Sequence, residues 1–169
     1  MKRLYLLRHA KSSWKDPSLA DHDRPLAGRG RRAAKQIAEH LRRSGIQPEL
    51  VICSSSRRTR ETLERIRSVL GDETVRIERE AYAAGEQGLL ERLRRLPDEV
   101  DSVMLIGHNP GLQSLALSLA RSEDAAVDRL AEKFPTGALA TFEIEEESWR
   151  SLQPGTAKLV DYVTPRELG

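Results

Sequence analysis

Two histidines and a group of arginines sit where the chain leaves its apolar stretches. Arg8-His9 follows Leu4-Tyr5-Leu6-Leu7, Ser54-Ser55-Ser56-Arg57-Arg58 follows Val51-Ile52-Cys53, and His108-Asn109-Pro110 follows Val103-Met104-Leu105-Ile106-Gly107. That mixture suits a phosphoryl group. A guanidinium is a planar fork matched to phosphate oxygens, and it stays charged at any relevant pH. A neutral imidazole can attack phosphorus, and a second, cationic one can stabilise charge on the transferring oxygens. Each residue also has an ordinary structural use. His9 can cap a strand end, His108 can bond a backbone carbonyl, and Arg8 can be a surface cation. Arg58 can be a helix-start arginine, although a cation there opposes the helix dipole. Only a shared location would turn them into a site.

The elements around them supply that location. Residues 2–7, 49–53, 75–77, 102–107, 138–144 and 157–163 read as strands, with 75–77 the weakest. Residues 30–43, 58–70, 87–96 and 110–120 carry apolar positions at helical spacing, and Pro110 suits a first helical turn. Residues 10–26, with Pro17 and Pro25, read as a loop that places His22 at the border of the site. Strands alternating with helices predict an α/β fold: a three-layer α/β/α sandwich with a mostly parallel central sheet, in a single domain spanning 1–169. Ligands of such sheets bind beyond the carboxyl ends of the strands, beside helix N-termini. His9, Arg58 and His108 are therefore expected to converge at one edge.

Composition narrows the class. The chain has 169 residues, 38% hydrophobic and 32% charged, with a formal charge of +2. No apolar run approaches the ~20 residues of a membrane helix, and the apolar stretch at the N-terminus is too short for a signal peptide. The one cysteine, Cys53, excludes an internal disulfide and points to the cytoplasm. It ends an apolar strand and reads as a core thiol. The arginine clusters are interleaved with Glu61, Glu64 and Glu91, which fits solvated helix faces better than a nucleic-acid surface. His9, His22, His40 and His108 lack metal-ligand spacing, and His40 lies off the apolar face of its helix, where it is expected to be solvated.

The ordered set of motifs resembles the histidine phosphatase superfamily, also called the phosphoglycerate mutase-like family. Leu7-Arg8-His9-Ala10 is similar to its Arg-His-Gly signature, with Ala10 in place of glycine. Asp23-Arg24-Pro25-Leu26 and Gly28-Arg29-Gly30 resemble the loop and helix start that follow that signature. Ser54-Ser55-Ser56-Arg57-Arg58-Thr59-Arg60-Glu61-Thr62 resembles its Ser-Pro-x-x-Arg-Ala-x-Gln-Thr stretch, with Ser55 for proline and Glu61 for glutamine. Gly107-His108-Asn109 resembles the segment with its second histidine.

The resemblance implies a phosphoglycerate mutase-like fold and a phosphatase that needs no metal or cofactor. It implies phosphorylation of His9, with Arg8, Arg58 and His108 forming the phosphate pocket. A general acid would come from Glu86 or Glu80, and Glu86 also serves as a favourable helix-start carboxylate. The short chain and the Arg8-His9-Ala10-Lys11-Ser12 opening look most like the SixA branch, which removes phosphate from phosphohistidine in signalling proteins. The expected partner is thus a phosphorylated protein or a small phosphorylated substrate, with neither nucleic acid nor membrane involved. A metabolite phosphatase and a non-catalytic phosphate-binding module are the alternatives. A cysteine phosphatase is disfavoured because Thr59, not arginine, follows Cys53 after five intervening residues.

Overall fold

The structure, a computed structural model, describes residues 1–121 and 125–169. Strands β1 (Lys2–Arg8), β2 (Leu50–Ser54), β3 (Thr74–Glu78), β4 (Ser102–Gly107), β5 (Leu139–Ile144) and β6 (Ala157–Val163) form one sheet in the order β3-β2-β4-β1-β5-β6. Successive side chains of a strand point to opposite faces, and in β1 both faces are covered. Leu4 and Leu6 enter a core with α3 (Glu86–Arg94) and α4 (Gly111–Leu119), whereas Tyr5 and Leu7 enter a second core with α1 (Gly28–Ser44) and α2 (Arg57–Ile66). Two apolar cores on one sheet make the three-layer α/β/α sandwich. No helix among the described residues is long and apolar enough to cross a membrane.

The sheet is mostly parallel. The β2–β3, β2–β4 and β1–β4 pairs are parallel, whereas β5 runs antiparallel to both β1 and β6. β2, β4 and β1 are neighbours, and their register is level, with Cys53 beside Ile106 and Arg8 beside Gly107. The residues that follow these three strands therefore emerge side by side. The reversal of β5 adds a fourth segment to the same edge. Its first residue, Leu139, pairs with Leu7, so the loop leading into it lies against His9.

Several boundaries differ from the sequence expectation. The helix expected over 58–70 ends at Ile66 and tightens into a 3-10 turn at Arg67–Val69. Pro110 caps α4 rather than filling its first turn. Two short helices, α5 (Ala125–Glu132) and α6 (Pro165–Leu168), were not expected. Each is too short to show a helical period, and α5 buries only Leu130. His40 is not fully solvated: its side chain is 16% exposed, with Nε2 3.8 Å from Asp161 of β6.

Candidate active site

His9, Arg8, Arg58 and His108 line one cavity of about 460 Å3, together with Asp21, Tyr82 and others. His9 is 5% exposed. Its backbone is fixed from both sides: its N–H donates to the Gly107 carbonyl at 3.1 Å, and its carbonyl accepts from Gly137 N at 2.9 Å. Gly137 also donates to the Arg8 carbonyl at 3.1 Å. Its φ of 78° lies in the left-handed region, and a Cβ there would sit 2.6 Å from Cγ of Pro165. Only glycine brings this loop so close to β1 and α6.

The His9 ring has a defined tautomer. Nδ1 lies 2.7 Å from the Ala10 carbonyl, which can only accept, so Nδ1 carries the proton. Nε2 is left with a lone pair and no hydrogen-bond partner among the described residues. Burial, with nearby positive charge, pushes the ring's pKa down to about 3, so it is neutral at ordinary pH. The rings of His9 and His108 lie 5.2 Å apart.

Arg58 occupies the first turn of α2, where a cation opposes the helix dipole. It is 6% exposed and anchored by the Asp21 backbone carbonyl at 2.7 Å and the Asp21 carboxylate at 3.0 Å. Arg8 donates to the Phe134 carbonyl at 3.0 Å. The Nε–H of each arginine is buried without an acceptor among the described residues. The site is thus short of acceptors, and an incoming anion would supply them.

His108 differs from the expected cation. Arg58 Nη2 lies 3.4 Å from its Nδ1; a guanidinium can only donate, so Nδ1 is the acceptor. The ring proton then sits on Nε2 and is donated to Ser54 Oγ at 2.7 Å. Burial and the Arg58 charge lower its pKa to about 4. His108 is thus a neutral imidazole at ordinary pH.

The remaining motif residues hold segments together. Thr62 Oγ1 accepts from Ala10 N at 3.1 Å and donates to the Arg58 carbonyl at 2.7 Å. Glu61 accepts from Leu26 N at 2.8 Å, tying the end of the 10–26 loop to α2. His22 flanks the site by bonding Ser55 Oγ at 2.8 Å.

The structure does not bring Glu86 or Glu80 to the cavity. Glu86 opens α3 outside the lining residues, and Glu80 pairs with Arg95 at 3.3 Å. From the same segment Tyr82 reaches in instead, because a 3-10 turn at Arg79–Ala81 directs it there, and its hydroxyl donates to Asp21 Oδ2 at 2.5 Å. That bond and Arg58 draw the Asp21 carboxyl down to about 2. Sequence reasoning missed Asp21, Tyr82, Trp14 and Thr136. Trp14 and Asp21 lay in the 10–26 loop, which has no period to mark them; Tyr82 lay between Glu80 and Glu86; Thr136 carried no periodic signal. Cys53 is fully buried, and burial raises its thiol to about 12, so it is no nucleophile here.

Comparison with known proteins gives consistent results. Residues 4–81 match the family described as the histidine phosphatase superfamily (branch 1). An uncharacterised protein of Mycobacterium tuberculosis is 37% identical over 163 residues, covering 95% of this chain and all of that one. The crystal structure of a protein described as a candidate phosphohistidine phosphatase SixA, from Agrobacterium tumefaciens, superposes with a TM-score of 0.83 at 30% identity, covering 97% of this chain and 98% of that one. A second structure with the same description, from Nakamurella multipartitia, gives 0.85 at 28% identity over 97% and 96%.

Proposed function

This chain belongs to the histidine phosphatase superfamily, in its SixA-type branch, and from that premise we propose that it is a phosphatase whose nucleophile is Nε2 of His9 and whose substrate is phosphohistidine on a signalling or carrier protein. Residues 1–169 act as one histidine phosphatase-like domain in the cytoplasm, a compartment that suits a lone thiol.

The observation that carries this reading is the Nδ1–H bond of His9 to the Ala10 carbonyl, which aims the free lone pair of a buried, neutral imidazole at the cavity. Nε2 attacks phosphorus and the bond to the leaving group breaks. The electron pair leaves with that group: a phosphohistidine ring that carries a proton on its other nitrogen departs as neutral imidazole and needs no further proton. The His9 ring becomes positive as the new bond forms, and the Ala10 carbonyl facing Nδ1–H stabilises that charge. Arg8 and Arg58 hold the phosphoryl oxygens, and the bound dianion raises the proton affinity of the His108 ring beside them, so that ring takes a proton from solvent and binds one oxygen as charge builds. Water then breaks the Nε2–P bond, releasing dihydrogen phosphate and restoring neutral His9. A phosphohistidine substrate needs little acid assistance, because the conjugate acid of its leaving imidazole has a pKa of about 6.5. That fits a cavity without Glu86. The two guanidinium groups supply the charge that the step requires, so turnover is expected to persist in chelator.

Rapid quench with a phosphoryl donor, followed by mass spectrometry, tests the assignment. An acid-labile phosphoryl group on His9 is expected, lost with turnover in His9→Ala, while His108→Ala mainly slows its formation. Phosphate trapped on any other residue would falsify the mechanism.

A further inference from the structure

A second cavity of about 520 Å3 opens beside the first, bounded by the start of α1, the end of α5 and α6. The two share Lys11 and Thr136, so one depression runs from the imidazole to α6. Its lining carries five cations (Lys11, Arg29, Arg129, Lys133, Arg166) against the carboxylates of Glu132 and Glu167. Arg129 is bound to Glu167. The other four have no carboxylate partner among the described residues.

The arrangement is held in place. Ala27 N donates to the Lys11 carbonyl at 2.9 Å, and a Cβ on Gly30 would lie 2.0 Å from that oxygen, so the first turn of α1 is pressed against the segment after His9. That turn keeps Arg29 beside Lys11. On the other side Pro165 packs on Gly137, which keeps Arg166 near the loop that bonds His9. Trp14, 71% exposed and stacked 3.5 Å from the Arg24 guanidinium, adds an aromatic platform at the mouth. Arg29, Lys133 and Arg166 do not line the catalytic cavity, so a bare phosphoryl group held there touches none of them.

Resting on the phosphatase reading above, we propose that this depression is a docking subsite for acidic side chains that flank the phosphorylated residue of a protein substrate. Unpaired cations along a concave wall raise the local concentration of an anionic segment and fix its direction. Substrate choice would then reside in residues that take no part in the chemistry.

The test uses two phosphohistidine peptides identical except that one has Asp and Glu around the phosphorylated residue and the other Asn and Gln, with phosphoramidate as the substrate that has no flanks. The wild type is expected to prefer the acidic peptide by about tenfold in kcat/KM, chiefly through KM, with the gap closing as salt rises. Arg29→Glu combined with Lys133→Glu should erase the preference and leave phosphoramidate turnover unchanged; Arg166→Glu should weaken it alone. Hydrolysis of phosphoramidate and both peptides without flank discrimination overturns this inference and leaves the phosphatase reading intact. A variant that loses peptide and phosphoramidate turnover equally also overturns it. No turnover of any of the three by the wild type removes the phosphatase reading and this inference together.

Discussion

The floor and the rim of the catalytic cavity are built by different means. The floor comes from three level strand ends and one helix start, and it is nearly dry: His9 is 5% and Arg58 6% exposed. The rim comes from the 10–26 loop and the turn after β3, where Trp14 is 71% exposed and Asp21 lies at the surface. A buried floor would present fixed charges to the phosphoryl oxygens of the proposed substrate without reorganisation, which is where transition-state stabilisation is strongest. An open rim leaves the departing group in contact with water. In the proposed reaction the phosphate end is thus preorganised, and the leaving-group end is permissive.

That contrast can be broken at the floor first. Arg58→Lys keeps the charge but loses the fork that binds Asp21 and the phosphoryl oxygens together, and kcat/KM for an aryl phosphate should fall about 100-fold, or ~3 kcal/mol. The acid response of stability is the next test. The folded pKa of His9 is lowered to about 3, so its contribution to stability is complete above its ordinary 6.5 and is lost as pH falls toward 3, when the unfolded chain binds a proton that the folded chain refuses. Urea denaturation should therefore show stability falling with acid, and His9→Asn should flatten that fall by up to ~1.4 kcal/mol per pH unit. Gly137→Ala forces a side chain into a left-handed backbone and against Pro165, and should lower stability by ~2 kcal/mol with activity falling alongside. The rim should respond least. Asp21→Asn removes one of the two anchors of Arg58 and should raise KM about fivefold, ~1 kcal/mol, with little change in kcat. A larger effect at Asp21 than at Arg58 would reverse the ranking of rim and floor.

The same division decides how much was legible beforehand. Apolar strand runs ending in Arg8-His9, Ser54 and Gly107-His108 announce themselves, and the rule that parallel strand ends share an edge brings these residues together from the sequence alone. The direction of β5 is invisible in its sequence, because apolar runs look alike in parallel and antiparallel strands buried on both faces. The loop before it, with Gly137 and Thr136, was therefore missed. Loops lack a period, so nothing marked Trp14 or Asp21 as cavity residues. The segment after β3 was recognised as important, but its polar reach was attributed to Glu86. The turn at Arg79–Ala81 delivers Tyr82 instead and sends Glu86 into a helix. The neutral state of His108 follows from its burial and the charge of Arg58, and its tautomer from one contact with Arg58, none of which a spacing rule conveys.

Cys53 has a consequence of its own. It is the penultimate residue of β2, one strand removed from β1, fully enclosed, with its thiol raised to about 12. Peroxide and alkylating reagents act on exposed thiolates, and this chain has no other cysteine to offer. The proposed chemistry runs through an imidazole while the lone sulfur is sealed in the core, so turnover is expected to be the same before and after treatment with peroxide at levels that oxidise exposed thiolates.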